Sequence, residues 1–341
     1  MPEKYTVAFL GLGHMGGPMA VNLVKAGYPV TGFDVVPAAL EAAQAAGVPT
    51  AASAEEAVSG ADVVLTMFPS GRHVLDAYRG NAGERGLLAA AKPGTMFLDC
   101  STINVDEARE AAALAVGAGH RSVDAPVSGG VVGAEAGTLT FMVGGEDEGV
   151  EHVRPLLDVM GKRAVHCGGH GAGQAAKICN NLILGVSMIA VSEAFVLGEK
   201  LGLSHQALFD VASAASGQCW ALTTNCPVPG PVPTSPANRD YQPGFAGALM
   251  AKDLNLALNA LKSTGVAARM GPLAAEIYDT FAAGEGAGRD FSGIITDIRN
   301  MSGRPDGAEP DNSRTSALQD ASGGAPPSAA RSAAQDDGSP E

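Results

Sequence analysis

"YTVAFLGLGHMGGPMAVNLVKAGYPVTGFDVV", residues 5–36, contains three segments of different character. An apolar, β-branched and aromatic run is followed by a glycine cluster, then by apolar residues at helical spacing, then by a second strand-like run, "YPVTGFDV". Within about 30 residues this order spells a strand–helix–strand unit. Gly11, Gly13 and Gly16 stand in GxGxxG spacing where the first strand gives way to the helix, with Leu12, His14 and Met15 between them. At that place the first glycine permits a tight turn, the second lets a pyrophosphate reach the backbone, and the third lets helix and strand pack closely. The helix dipole and free N–H groups then face the anion. A glycine cluster alone also makes ordinary turns, and the decisive addition is Asp34, about 20 residues on, at the end of the second strand. A carboxylate there accepts hydrogen bonds from the adenosine ribose hydroxyls and repels a 2′-phosphate, while Val35 and Val36 offer no arginine. The expected cofactor is NAD.

The alternation continues outward. "AEEAVSGADVVLTMFPS" predicts a helix and a strand over 63–67, "AKPGTMFLDCST" a strand over 96–99, and "GHRSVDAPVSGG" another ending near Ala125. Strands alternating with helices imply a parallel sheet covered on both faces. After "GVEHVRPLLDVMG" the pattern changes, and "GAGQAAKICNNLILGVSMIAVSEAFVLGEKLG" reads as one helix of seven or eight turns, starting after Gly173 and stopping near Gly202. Further helical stretches follow, around a proline-rich loop at 225–240. The expected fold is α/β: an N-terminal Rossmann doubly wound sheet (1–168), then an all-α domain (169–302) entered by a long interdomain helix. Residues 303–341, rich in Gly, Ser, Ala, Pro and Asp, read as a disordered tail with too little apolar surface to offset ordering entropy.

Composition removes several function classes. With 36 acidic against 22 basic residues and no basic run, nucleic acid is not an expected partner. Five scattered cysteines (Cys100, Cys167, Cys179, Cys219, Cys226) and a start lacking a basic, cleavable apolar leader suggest a reduced, cytoplasmic protein. The most apolar run, 182–191, is bounded by Asn180, Asn181 and Glu193, and is shorter than the roughly 18 uncharged residues a bilayer requires. A buried soluble helix, not a membrane span, is expected.

"GQAAKICNN", 173–181, places a lysine among alanines and isoleucines. On a helix Lys177 and Asn181 share a face, Asn180 lies one position round, and Gly173 would leave space one turn before the lysine. Beside a nicotinamidium ring, desolvation and like charge both lower a lysine pKa, fitting it to exchange a proton with a substrate hydroxyl. A lysine that snorkels to solvent, with asparagines that cap or bridge, is the alternative on spacing alone. "HCGGH", with His166, Cys167 and His170, has no second cluster at zinc spacing, so it reads as a strand end and glycine turn and no metal is expected. Asp99, Cys100 and Ser101 lack a histidine partner for nucleophilic chemistry.

Four stretches, "GLGHMG" with "MAVNLVKAGYPV", "DAPVSGG" (124–130), "GAGQAAKICNN" (171–181) and "LMAKDLNLA" (249–257), together make residues 4–302 resemble the β-hydroxyacid dehydrogenase family. The segment from "SGQCW" through the proline-rich loop resembles its 3-hydroxyisobutyrate-oxidising branch. The resemblance implies that Lys177 is the catalytic lysine and that Asn181 helps to hold substrate. Ser128, Gly129 and Gly130 would bind its carboxylate, a hydroxyl and small-residue N–H groups converging on an anion without bulk. Phe68, Pro69 and Thr102 would line the cofactor with His73 nearby, and Lys252 would approach it from the helical domain, with Asp253 as a possible holder of Lys252. Trp220 and Phe245 would wall the pocket, a core-filling role for Trp220 remaining open.

The activity implied is NAD-dependent oxidation of 3-hydroxyisobutyrate to methylmalonate semialdehyde, in valine breakdown, by a homodimer or homotetramer. Another small 3-hydroxy acid, or a tartronic or succinic semialdehyde, is the neighbouring alternative. A non-catalytic NAD-binding module is the alternative from another class, although it would need neither Lys177 nor the 128–130 loop.

Overall fold

The computed structural model describes residues 4–80 and 85–303; the tail expected at 303–341 lies, beyond residue 303, outside the described residues. In chain order the elements are β1 (Val7–Leu10), α1 (Gly16–Lys25), β2 (Val30–Phe33), α2 (Pro37–Ala45), α3 (Ala54–Val58), β3 (Val63–Thr66), α4 (Gly71–Arg79), α5 (Leu87–Ala90), β4 (Met96–Asp99), α6 (Val105–Gly117) and β5 (Arg121–Asp124). Then come β6 (Val127–Ser128), α7 (Gly130–Ala136), β7 (Leu139–Gly144), α8 (Asp147–Met160) and β8 (Gly161–Gly168). Helices complete the fold: α9 (Ala172–Lys200), α10 (His205–Ala214), α11 (Trp220–Thr223), α12 (Gly247–Thr264), α13 (Met270–Ala282) and α14 (Ile294–Ser302).

Strands β2, β1, β3, β4 and β5 lie side by side in that order, all parallel. The three inner strands β1, β3 and β4 are nearly continuous apolar runs, fully buried because both faces of the sheet are covered there. Alternate side chains serve different cores: Val7, Phe9, Val63, Leu65, Met96 and Leu98 enter one, while Ala8, Leu10, Val64 and Phe97 enter the other. The sheet is not parallel throughout. β7 runs antiparallel to β5 and β6, and β8 then pairs parallel with β7. Only residues 129–138 connect β6 to β7, and they hold the seven-residue α7. A parallel crossover takes a dozen residues or more, so the chain returns by reversing direction. The fourteen residues of α8 do allow such a crossover to β8.

Helix α9 spans 29 residues, about 44 Å at 1.5 Å per residue. It begins at Ala172, earlier than its sequence suggested, because Gly171 in the left-handed conformation supplies the cap. Gly173 has a purpose different from the expected clearance beside the lysine. A Cβ there would collide with the Met142 carbonyl oxygen and the Asp124 carboxylate, so the glycine lets α9 start hard against β7 and the end of β5. By length and composition α9 also passes the test that its sequence appeared to fail, with a mean hydropathy of 1.8 over an 18-residue window. Half of that window is buried in the fold, and Met188, Ile189, Phe195 and Val196 belong to a separate helical core with Met250, Leu254, Tyr278 and Phe291. The helix is thus a central element of that core.

Candidate active site

The glycine loop opens the site at the C-terminal ends of the parallel strands. Gly11 has φ +91° and a Cβ there would strike the Met67 carbonyl oxygen, while a Cβ on Gly16 would strike the Gly11 carbonyl oxygen, so neither position admits a side chain. Over Gly13, by contrast, the space is open. The backbone N–H groups of Gly13, His14 and Met15 donate to no other protein group among the described residues. Asp34 leaves β2 and turns back under the loop: one carboxylate oxygen accepts from Leu12 N–H at 2.7 Å, the other from Val36 N–H at 2.8 Å. Those bonds fix the carboxylate's orientation, and each oxygen retains a lone pair for a further donor. Val35 and Val36 are exposed beside it. An open anion cradle with an oriented carboxylate that makes no ion pair among the described residues fits a dinucleotide whose ribose hydroxyls are free.

Two loops follow along the same edge. After β3 come Phe68 and Pro69; after β4 comes Thr102; Ser70 Oγ lies 2.7 Å from His73 Nδ1 in the first turn of α4. Lys252, on α12, reaches across to donate to the Pro69 carbonyl at 2.8 Å, and burial lowers its pKa. Behind these loops Ser101 Oγ donates to Asp99 Oδ1 at 2.6 Å and accepts from Phe68 N–H at 2.8 Å. Thr66 Oγ1 also donates to Asp99. Burial pushes Asp99 up to about 6, and its Oδ2 has no hydrogen-bond partner among the described residues.

Lys177 is buried, 6 % exposed, two turns into α9. The snorkelling alternative therefore fails. Its ammonium lies 4.0 Å from Asp253 Oδ2 and 5.9 Å from the Phe245 ring centroid. Asn181 donates through Nδ2 to the same Asp253 oxygen, and Asn180 donates to Asn181 Oδ1 at 2.9 Å. Asp253 thus serves Lys177 and Asn181 and makes no ion pair with its neighbour Lys252, contrary to expectation, because successive helical residues point about 100° apart. Burial is the largest influence on Lys177 and lowers its pKa, with Asp253 opposing and Lys252 assisting. Burial likewise raises Asp253, against the pull of both lysines.

Ser128, Gly129 and Gly130 form the turn between β6 and α7, and both glycines have positive φ (+133° and +62°). A Cβ on Gly130 would lie 2.8 Å from the Gly244 carbonyl oxygen, so this turn abuts the segment that carries Phe245. Trp220 stands apart in character: it is 53 % exposed at the start of α11, which excludes the core-filling alternative.

Three buried residues that the sequence reading did not place at the site support it. Asp124, at the end of β5, accepts from Gly171 N–H at 2.7 Å and Gln174 N–H at 3.1 Å and so caps α9. Gln174 binds the loop after β4. Asp290 Oδ2 accepts from Gly244 and Phe245 N–H at 3.0 and 3.1 Å, while Oδ1 accepts from Asn225 and Ser292. For Asp290 a signal existed, since Asp-x-Ser is a turn-capping pattern. The described residues contain no cluster of three or more His, Cys, Asp or Glu side chains set to hold a metal. His166 of "HCGGH" instead lies 2.9 Å from the Gly145 carbonyl.

Comparison with known proteins covers nearly all of this architecture. Residues 6–169 match the family described as the NAD binding domain of 6-phosphogluconate dehydrogenase, and residues 171–298 match that described as NAD-binding of NADP-dependent 3-hydroxyisobutyrate dehydrogenase. A Mycobacterium tuberculosis protein named probable 3-hydroxyisobutyrate dehydrogenase is 56 % identical over 294 residues, 86 % of this chain and 98 % of that one. A Pseudomonas aeruginosa NAD-dependent L-serine dehydrogenase is 48 % identical over 286 residues, 84 % of this chain and 95 % of that one. The solved structure of Mycobacterium tuberculosis 3-hydroxyisobutyrate dehydrogenase with L-serine superposes with a TM-score of 0.83 at 56 % identity, covering 87 % of this chain and 100 % of that one.

Proposed function

Because the chain belongs to the 3-hydroxyisobutyrate dehydrogenase family of nicotinamide-dependent oxidoreductases, we propose that it oxidises 3-hydroxyisobutyrate to methylmalonate semialdehyde, with NAD in preference to NADP. The observation that carries this reading is a lysine buried beside Asn181 and Asp253, under Phe245, at the point where α9 leaves the sheet. The loop from Gly11 to Gly16 and Asp34 would hold the adenosine and pyrophosphate, and Phe68, Pro69, His73, Thr102 and Lys252 the nicotinamide half. When bound, the nicotinamide supplies the acceptor for the hydride that leaves the carbinol carbon.

The protein's own part is binding, orientation and proton transfer. The Ser128 hydroxyl, the N–H groups of Gly129 and Gly130 and the Asn181 amide would receive the substrate carboxylate. Lys177, whose pKa burial lowers, takes the hydroxyl proton at Nζ in its neutral form; in the reverse direction its ammonium returns that proton to the aldehyde oxygen. Phe245 shields the amine from water, with Trp220 as a further wall of the pocket. Asp253 keeps the lysine's pKa from falling further and holds Asn181 in place.

L-Serine is the second substrate reading, favoured by the 48 % identical L-serine dehydrogenase and by the L-serine in the 56 % identical structure. Asp253 offers an ammonium group a carboxylate. A homodimer or homotetramer is the proposed assembly, supported by the exposed Leu197, Leu201, Leu203 and Val211 on α9, α10 and the turn between them. Its proposed setting is the reducing cytoplasm, in keeping with five unpaired cysteines.

The test is NADH production from NAD, and NADPH production from NADP, with each enantiomer of 3-hydroxyisobutyrate, 3-hydroxypropionate, L-serine and glycerate. The highest kcat/KM is expected for a 3-hydroxyisobutyrate enantiomer with NAD. Preference for L-serine would select the second reading, and protein that binds NADH but oxidises none of the panel would reduce the chain to a dinucleotide-binding module.

A further inference from the structure

We infer that Gln174 is a positioning residue that fixes the spacing between Lys177 and the loops assigned to the nicotinamide, by gripping the backbone on either side of Thr102. The inference rests on the oxidoreductase reading above and adds a residue to it. Gln174 is fully buried, three positions before Lys177 and therefore one turn below it on α9. Its amide makes two bonds of opposite sense to the loop after β4: Nε2 donates to the Ser101 carbonyl at 2.7 Å, and Oε1 accepts from Ile103 N–H at 3.1 Å. Thr102 lies between those two anchors. The grip then passes to the neighbouring loop, since Ser101 Oγ, oriented by its bond to Asp99, accepts from Phe68 N–H at 2.8 Å.

The chemistry selects glutamine. The site needs one donor and one acceptor, about three bonds from the helix backbone, on a group that carries no charge into a fully buried place. An ionised glutamate would set a carboxylate oxygen, an acceptor, against the Ser101 carbonyl. A methionine has the length but leaves the Ser101 carbonyl and the Ile103 N–H unpaired. The glycine loop and Asp34 lie beyond these bonds, so loosening the clamp would move the nicotinamide end relative to Lys177 while the adenosine end stays anchored.

The experiment compares wild type with Gln174→Met, Ser101→Ala and the double variant, by steady-state kinetics, NADH titration and hydrogen exchange of the cofactor-free protein. Gln174→Met is expected to lower kcat by about 100-fold, the loss that accompanies misplacement of reacting groups by an ångström, with a smaller change in NADH affinity. Amide exchange at Ile103 and Phe68 is expected to accelerate about tenfold, matching loss of a hydrogen bond worth about 1.4 kcal/mol. Ser101→Ala keeps the carbonyl that Gln174 holds but removes the link to Phe68. If the relay acts as one unit, the double variant loses less than the product of the single losses. Wild-type kcat and unchanged exchange at Ile103 in Gln174→Met would overturn the clamp, and multiplicative losses would overturn the relay. If wild-type protein oxidises no 3-hydroxy acid, the oxidoreductase reading fails while the exchange arm still decides the clamp.

Discussion

Replacing Asp253 by asparagine tests the electrostatic account of Lys177 directly. Asp253 Oδ2 stands 4.0 Å from the ammonium, and asparagine preserves shape and an oxygen for Asn181 while removing the charge. At that separation the Coulomb energy is about 4 kcal/mol for an effective dielectric constant near 20, and about 2 kcal/mol if cleft water doubles it. Asp253 favours the charged lysine, so its removal makes the proton easier to lose. At about 1.4 kcal/mol per tenfold change, the limb of the kcat/KM profile that reports Lys177 should move to lower pH by roughly 1.5 to 3 pH units. 3-Hydroxyisobutyrate suits the measurement because no group on it titrates near neutrality. In the oxidation direction, wild-type kcat/KM should rise with pH as Lys177 becomes neutral, and Asp253→Asn should reach its plateau earlier. A limb that stays in place, or moves to higher pH, would show that Lys177 is not the titrating base or that Asp253 is not its charged neighbour.

Other substitutions probe the remaining parts. Lys177→Met should lower kcat by about 100- to 10,000-fold while NADH titration still shows binding, because proton transfer and not the cofactor cradle is lost. Asp34→Ala should cost NAD about 10- to 100-fold in kcat/KM, from lost hydrogen bonds to a charged group, and should raise the NADP-to-NAD ratio in parallel assays. Gly130→Ala forces a side chain onto φ +62° and against the Gly244 carbonyl; a conformational cost of about 1–2 kcal/mol and a higher KM for the acid are expected. Asp290→Ala leaves three backbone N–H groups, the Ser292 hydroxyl and the Asn225 amide without their acceptor. Thermal unfolding should show a loss of roughly 3 kcal/mol or more, accompanied by a raised KM for the acid because Phe245 loses its support.

The strand–helix–strand opening and the long helix were legible because their signals are local: period-two and period-3.6 patterns, glycines at a turn, an acid at a fixed offset. Direction was harder to read. Nothing in "TLTFMVGG" by itself distinguishes a parallel from an antiparallel strand, and the reversal at β7 follows from the shortness of the link before it. At the site, the face that Lys177 shares with Asn181 followed from helical spacing, but the burial of the lysine did not, since spacing alone also allowed it to snorkel to solvent. The partner of Asp253 did not, since Lys177 lies 76 positions away along the chain while Lys252 is adjacent. Gly173 was misread for a related reason: what a glycine makes room for depends on its tertiary neighbours, here Met142 and Asp124. Gln174 escaped notice because a buried polar anchor bonds to backbone groups, which every sequence possesses and none displays, and Asp290 because its Asp-x-Ser pattern says nothing of the distant Gly244 and Phe245 that it holds.

The tight start of α9 also has a mechanical meaning. With Gly171 and Gln174 bonded to Asp124, and Gly173 pressed on β7, the first turns of α9 are fastened to the sheet. Lys177 therefore travels with the dinucleotide-binding half, although it lies in the chain's helical region. Asp253 and Phe245 belong to the opposite jaw. A swing of that jaw about any pivot beyond Asn181 would strip the lysine of its counter-ion and its aromatic cover together, so that the width of the cleft would also set the strength of the proposed base.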